Sequence, residues 1–243
     1  MAHLAMIICL FVGIIAASYA DAEDRIASIG DSSPAVNDTG TAHVYSKLVD
    51  IVHALDKATH STTKIVVRPF ARSLKETAEG HADFHMPLFQ DAHTPAPAGL
   101  VYVEEVDFGN AQFVIYSRKL SPLDARTVAG AKGIETEPGH ESLFPFPVRV
   151  THCVPCSLDM VLLGRTDALI VSSDIVDPLL VDPKYKSIHR AFYKMYPIRA
   201  LVPATADSTA TRRYLVDGVK QIKETGELWK IIHSNQPYSD WQP

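Results

Sequence analysis

Short, continuous apolar runs alternate with segments of helical periodicity along most of the chain. The runs Ile65–Val67 and Ala168–Val171 are apolar at every position, which is typical of strands that are buried on both faces. Val44 to Ala58 and Thr209 to Glu224 carry apolar residues at three- and four-residue spacing, which predicts amphipathic helices. Because strands alternate with helices, we expect an α/β fold with mainly parallel sheets flanked by helices.

Three further segments also predict secondary structure. Ile198 to Val202 is apolar except for Arg199 and predicts a strand. Glu227 to His233 follows the helix stop at Gly226 and predicts the start of another helix. Pro122 to Val128 begins with a proline at a position suited to the first turn of a helix, so we expect a helix to start there.

Composition excludes several classes of protein. The chain has 243 residues, of which 47% are hydrophobic and 21% charged, and this is an ordinary globular composition rather than a disordered or fibrous one. Its formal net charge is −5 and no run of Lys or Arg exceeds two residues, so we expect no nucleic-acid partner. The length allows one large domain or two smaller lobes, each with a core of its own.

The N-terminal segment predicts export. Leu4 to Ala20 contains no charged residue and ends in the small-residue pattern Ser18-Tyr19-Ala20, which favours a cleaved signal peptide over residues 1–20 and a periplasmic protein. Cleavage after Ala22 is a second option. Because no Lys or Arg precedes Arg25, an uncleaved N-terminal anchor stays open as an alternative.

Removal of the signal segment leaves two cysteines, Cys153 and Cys156. A pair of cysteines in an exported protein predicts one disulfide. Two alternatives stay open: a redox-active CxxC at a helix start, or a metal site made by His152 with both thiols reduced. A second group of possible metal ligands contains three histidines and two aspartates: His81, His85, His93, Asp83 and Asp91. We nevertheless expect neither a metal nor a cofactor.

Three stretches of the chain carry a resemblance to a known family. Arg72-Ser73-Leu74 is followed by Glu79-Gly80-His81-Ala82-Asp83, Leu163 to Ile170 reads LGRTDALI, and Tyr196 to Leu201 is followed by a helical segment from Tyr214 to Ile232. In this order and spacing they resemble the type II periplasmic solute-binding proteins of bacterial import systems, with the topology of the amino-acid-binding members.

The resemblance implies a two-lobed molecule that closes on its ligand by a hinge motion. One lobe would contain residues 24–113 plus 204–243 and the other residues 118–199, with hinge strands near 113–118 and 199–203. It further implies a small-molecule ligand, delivery of that ligand to an inner-membrane transporter, a monomeric state and no enzymatic activity. A dehydratase-like enzyme on the same fold is an alternative, for which Glu141 is the available cleft carboxylate.

The charged residues that anchor an amino acid in this family have no counterpart at the matching positions. Pro97 stands where the family's ligand-clamping arginine is expected, and Ser172 where its ammonium-binding aspartate is expected, although Asp174 lies close enough to replace the latter. The resemblance therefore implies a ligand that is not a free amino acid. Loops rich in Phe, hydroxyl groups and His favour a neutral or partly apolar molecule instead.

We expect the ligand-binding residues to lie on the loops that follow the predicted strands and to come from both lobes. Individual phenylalanines of these loops could equally be core residues. A lipid or sterol carrier of the same fold is an alternative function. The candidate ligand-binding residues are Ser32, Phe70, His85, His140, Ser142 and Ser172.

Overall fold

A computed structural model of the chain describes residues 25–31, 42–92 and 94–233. The predicted signal peptide, Ser32 and His93 lie outside the described residues. The strands are β1 (Arg25–Asp31), β2 (Thr63–Pro69), β3 (Phe84–Phe89), β4 (Leu100–Tyr102), β5 (Asn110–Arg118), β6 (Ile134–Thr136), β7 (Arg149–Val150), β8 (Ala168–Ser172) and β9 (Ile188–Pro203). The α-helices are α1 (Ala42–Thr59), α2 (Phe70–Ala78), α3 (Val154–Leu162), α4 (Ser173–Val176), α5 (Thr209–Glu224) and α6 (Glu227–His233).

All the described strands belong to one sheet. Their order is β2-β1-β3-β9-β5-β8-β6-β7, and β4 also pairs with β9. The outer pairings are parallel: β1 lies between β2 and β3, and β6 lies between β7 and β8. The pairings made by β9 and β5 in the centre are antiparallel. The expected α/β fold is confirmed, with parallel strand pairs in each half and antiparallel strands where the halves join.

The long strand β9 belongs to both halves of the molecule. Its residues 188–197 pair with β5, whereas its last residues, up to Pro203, pair with β3 and β4. The chain also passes between the halves in the segment 103–109 that connects β4 to β5. We call β1–β4 with α1, α2, α5 and α6 the first lobe, and β5–β8 with α3 and α4 the second lobe.

Each lobe has a core of its own, because the apolar faces of its helices pack on its strands. In the first lobe, Leu55 of α1 and Leu215 of α5 pack with Phe84 of β3. In the second lobe, Leu158 of α3 packs with Val171 of β8. All five side chains are fully buried, and burial of a side chain of this size contributes about 1.5–3 kcal/mol to folding.

In the described part of the chain, no helix combines the length and the apolar character needed to cross a bilayer.

Candidate functional site

The candidate site lies where loops at the carboxyl ends of strands from the two lobes meet. In α/β sheets these ends form the crevice in which ligands bind. β2 ends at Pro69, and Phe70 follows directly as the first residue of α2. In the second lobe β6 ends at Thr136, and the segment that follows leads to Gly139 and His140. The fold therefore places Phe70 opposite His140 across the junction of the lobes.

Six aromatic side chains form a continuous cluster at this junction, which we call the ring cluster. Three of them belong to the first lobe and three to the second. Its members are Phe70, His85, Phe89, Phe113, His140 and Phe144.

His140 lies at the centre of the ring cluster. Its ring centroid is 5.9 Å from that of Phe70, 4.8 Å from that of Phe89 and 5.5 Å from that of Phe113. Phe70 in turn lies 5.2 Å from His85, edge to face. These separations are those of favourable aromatic contacts. The two lobes are thus in direct contact through aromatic rings.

Two glycines make room for the Phe70 ring. Gly139 has φ of +83°, and a Cβ atom built on it would overlap the ring of Phe70. A Cβ atom on Gly30, at the end of β1, would lie 2.7 Å from Cε1 of His85 and 2.9 Å from Cδ2 of Phe70. The ring therefore fits between one backbone segment of each lobe at positions where a larger residue would collide with it.

The two histidines of the ring cluster are neutral in this structure. His85 is fully buried, and burial lowers its pKa to about 3, against an opposing contribution from the backbone of Pro87. His140 is 3% exposed, and burial lowers its pKa to about 3 as well. Desolvation disfavours the charged imidazolium in both cases. Near neutral pH the site therefore contains two uncharged imidazoles.

Each of these imidazoles has a nitrogen without a hydrogen bond of ordinary geometry among the described residues. Nδ1 of His85 is 2.6 Å from Oγ of Ser73, which is 2.7 Å from Oγ of Ser28; Nε2 of His85 has no hydrogen bond of that quality, although the ring also interacts with the backbone of Pro87. Nδ1 of His140 has none either, and the nearest carboxylate oxygen, on Glu137, is 3.9 Å away. Buried polar atoms normally have a partner, so these nitrogens are candidate contacts for a ligand.

The predicted serines differ in their placement. Ser172 is 4% exposed and lies opposite Phe113 in the antiparallel ladder of β8 and β5, so it borders the ring cluster. Ser142 is exposed, and its carbonyl accepts a hydrogen bond from Oγ1 of Thr94 at 3.4 Å, a contact between loops of the two lobes. The structure thus brings Phe70, His85 and His140 together, with Ser172 beside them and Ser142 on an outer loop.

The arginines nearest to these loops already have partners. Arg68 and Arg72 both bind the carboxylate of Glu76, at 3.2 Å and 2.6 Å. Arg199 donates to the side-chain oxygen of Gln90 and lies 3.6 Å from the carboxylate of Asp107. A ligand carboxylate would have to compete with these contacts for each guanidinium.

Phe113 and Gly139 were not among the residues selected from the sequence. Phe113 lies in the middle of the apolar run that forms β5, where nothing distinguishes it from a core residue. Gly139 does carry a signal, because a Pro-Gly pair marks a tight turn. That signal predicts the backbone conformation at Gly139, but it does not identify the side chain that packs on this glycine.

The cysteines form the predicted disulfide. Cys153 precedes α3 and is bonded to Cys156 in its first turn, with a Cα–Cα distance of 5.2 Å. α3 packs on Val114 of β5, so it lies on the other face of that strand from Phe113. His152 is exposed beside the disulfide. In the described ranges no three or more His, Cys, Asp or Glu side chains are grouped closely enough to hold a metal ion.

Comparison with known proteins shows the fold. No protein-family model matches the chain, and no curated protein matches its sequence. The substrate-binding protein of an amino-acid ABC transporter is 15% identical, with a TM-score of 0.65, and the match covers 86% of this chain and 96% of that chain. The chain has the fold of the type II periplasmic solute-binding proteins.

Two further solved structures have the same fold. The arginine-, lysine-, histidine-binding protein ArtJ from Geobacillus stearothermophilus is 13% identical, with a TM-score of 0.64, over 90% of this chain and 96% of that chain. A histidine kinase sensor domain with similarity to periplasmic binding proteins is 12% identical, with a TM-score of 0.66. The match covers 86% of this chain and 94% of that chain. The expected two-lobed architecture is therefore confirmed.

Proposed function

We propose that this chain is a periplasmic substrate-binding protein that holds a small, neutral or partly apolar molecule between its lobes and delivers it to an inner-membrane transporter. The observation that carries this proposal is the ring cluster, to which both lobes contribute and which contains buried imidazole nitrogens without an ordinary hydrogen bond to any described residue. A binding role is consistent with the solved proteins of this fold, which include substrate-binding proteins of transporters.

The ligand class follows from the polar groups that the ring cluster offers. His85 and His140 are neutral, so each unpartnered nitrogen can donate or accept one hydrogen bond according to its tautomer. The nearby arginines are paired with Glu76 or Asp107. A carboxylate or ammonium placed among the rings would lose hydration without gaining a counter-ion, which is strongly unfavourable. A hydroxyl or carbonyl group on an apolar skeleton fits these groups better.

Binding requires the lobes to separate first, because Phe70 contacts His140 across the junction. We propose that the two connections between the lobes, the segment 103–109 and the part of β9 around Arg199, act as the hinge. The ligand would take the place of the contact between Phe70 and His140, with its polar group at Nδ1 of His140. This proposal keeps the second crossing that the sequence predicts, near 199–203, but moves the first from 113–118 to 103–109, because Phe113 to Ser117 pair with β8 of the second lobe.

The first experiment identifies the ligand and tests its class. Protein purified from the periplasm is analysed by native mass spectrometry for a bound molecule, and the refolded, ligand-free protein is titrated calorimetrically with the twenty amino acids, 2-phenylethanol and cholesterol. We expect saturable binding of a neutral compound and none of the amino acids. Micromolar affinity for any amino acid would contradict the proposed ligand class, and saturation by cholesterol alone would favour the lipid-carrier alternative.

A pair of histidine variants tests the placement of the site. His140→Phe keeps an aromatic ring at the centre of the cluster but removes the nitrogen proposed to bind the ligand. His81→Phe makes the same change at an exposed position of the first lobe and serves as the control. We expect at least a fivefold loss of affinity for the neutral compound in the first variant, since one hydrogen bond contributes about 1 kcal/mol. Equal affinities in both variants would place the ligand elsewhere.

A further inference from the structure

A cavity of about 490 Å³ lies on the opposite face of the central strands from the ring cluster. Gln112 of β5 and Met195 of β9 line it, whereas the next residue along each strand, Phe113 or Tyr196, belongs to the side of the ring cluster. Successive residues of a strand point to opposite faces of the sheet. The cavity is therefore distinct from the site proposed above.

Both lobes contribute to the walls of this cavity. The first lobe provides residues of α5 and α6 together with the segment that leads into β5, and the second provides the start of α4. The volume falls in the range of small-molecule sites, about 300–1,000 Å³. The apolar residues that line it are Phe108, Met195, Ile198, Leu228, Trp229 and Ile232.

The two aspartates of the cavity, Asp107 and Asp174, differ in their ionic contacts. Asp107 is neutralised, because Lys223 donates to its carboxylate at 2.9 Å and Arg199 lies 3.6 Å from it. Asp174, at the start of α4, is exposed to the cavity, and its carboxylate makes no hydrogen bond or ion pair with any residue that the structure describes. Among the described residues, the carboxylate of Asp174 thus has no direct ion pair, although Lys47 and His233 act on it.

The surroundings of Asp174 make this carboxylate responsive to a cation. Burial raises its pKa, Lys47 and His233 act in the opposite direction, and Asp177 adds to the increase. Lys47 acts on Asp174 without a direct ion pair between them, and its ammonium group donates to the carbonyl of Ile232 at 2.9 Å. A carboxylate whose charge is incompletely compensated gains from a bound cation.

An aromatic surface lies in the same cavity. The side chain of Trp229 is 64% exposed, and one face of its indole stacks on His233, with ring centroids 4.4 Å apart. Nδ1 of His233 donates to the carbonyl of Trp229 at 2.8 Å, which fixes the two side chains relative to each other. Indole is the aromatic group that binds cations most strongly. Met195 adds a half-exposed apolar side chain.

From this combination we infer that the cavity is a second binding site, for a small organic cation with an apolar or aromatic part. Its ammonium group would pair with Asp174, and its apolar part would pack on Trp229 and Met195. Because the walls come from both lobes, a bound cation would contact α4 of one lobe and α6 of the other at once. This inference does not depend on which molecule the ring cluster binds.

The test uses phenethylammonium as the cation and 2-phenylethanol as its neutral counterpart of nearly equal size. Both are titrated calorimetrically into the full chain, and into the variants Asp174→Asn and Asp217→Asn. Asp217 is an exposed aspartate on α5 outside the cavity and provides the matched control. We expect saturable binding of the cation, about tenfold weaker in Asp174→Asn and unchanged in Asp217→Asn, because a charge-assisted contact is lost.

Tryptophan fluorescence provides a second, local measurement. The chain contains two tryptophans, Trp229 and Trp241, so in the variant Trp241→Phe the emission reports on Trp229 alone. We expect the cation to change this emission with the same dissociation constant as in calorimetry. Absence of saturable cation binding, or equal affinity in wild type and Asp174→Asn, would overturn the inference. Binding of the alcohol as tightly as the cation in this cavity would overturn the assigned ligand class.

Discussion

At the scale of single residues, the neutral state of the buried histidines makes stability depend on pH. His85 and His140 have pKa values of about 3 in the folded protein, against about 6.5 in an unfolded chain. The unfolded state therefore takes up protons below pH 6.5 while the folded state does not. The stability that these residues provide is complete above pH 6.5 and is lost progressively as the pH falls towards 3.

We therefore expect the free energy of unfolding to fall by about 2 kcal/mol per histidine between pH 7.5 and pH 5. Urea denaturation at both pH values measures this. His140→Gln should show about half of the histidine-dependent loss, whereas His81→Gln, at an exposed position, should behave like the wild type. Glu137, 3.9 Å from His140, is present in the wild type and in both variants, so its own titration contributes to the pH dependence of all three proteins. An unchanged pH dependence in His140→Gln would show that this imidazole is charged or solvated.

Phe70 is both a candidate ligand contact and a buried residue, and the two roles can be separated. Its side chain is 4% exposed and also packs on Leu88 and Leu201 of its own lobe. We expect Phe70→Ala to lower the free energy of unfolding by about 3 kcal/mol or more. Phe192→Ala, at a position 54% exposed, should change it by less than about 0.5 kcal/mol. Equal melting temperatures for both variants would mean that Phe70 lies in a solvated cleft.

At the scale of elements, periodicity predicted the helices better than it predicted the strands. α5 occupies Thr209–Glu224 and α6 begins at Glu227, where the helical pattern and Gly226 placed them. β9 is much longer than the predicted strand Ile198–Val202. Its part in the second lobe, from Ile188 to Pro197, mixes charged, aromatic and apolar residues and contains neither a continuous apolar run nor a regular alternation. The helix predicted from Pro122 is wrong: in that region only a 3-10 turn at Val128–Gly130 is described.

The disulfide is a property of one element, since it joins the residue before α3 to the first turn of that helix. The loop it closes has a sequence separation of three residues, and short loops contribute little entropic stabilisation. We expect the double variant Cys153→Ser, Cys156→Ser to lose about 2 kcal/mol of stability at most. Thiol counting on the unfolded, unreduced mature protein should find no free thiol. Two reactive thiols would show that the exported protein is in the dithiol form.

At the scale of the whole molecule, the fold could be predicted from the sequence, but the contact between the lobes could not. Alternating strands and helices and three weak motifs were sufficient for the two-lobed architecture. They also selected Phe70, His85 and His140, whose rings lie close together, although His85 lies within β3 and Phe70 begins α2 instead of lying on loops. The contact of Phe70 with Gly139 depends instead on how the two lobes are oriented, and no local pattern in either segment encodes that orientation.

The contact between Phe70 and Gly139 gives a test of lobe closure with a matched control. Gly139→Ala introduces a Cβ that would overlap the Phe70 ring, and Gly80→Ala introduces one at a similar φ of +76° with no atom within 4 Å. Both substitutions strain a left-handed backbone, at a cost of about 1–2 kcal/mol. The difference between them therefore isolates the contact between the lobes.

We expect Gly139→Ala, but not Gly80→Ala, to favour separated lobes. Small-angle X-ray scattering should then give a larger radius of gyration for Gly139→Ala, while thermal unfolding should show a similar backbone cost in both variants. The affinity for the neutral compound should rise in Gly139→Ala alone, because the ligand replaces the contact between Phe70 and His140 and the closed, ligand-free state that must open first becomes less populated. If both variants scatter like the wild type, the Phe70 ring can move aside without opening the lobes, and closure must depend on other contacts such as that of Thr94 with Ser142.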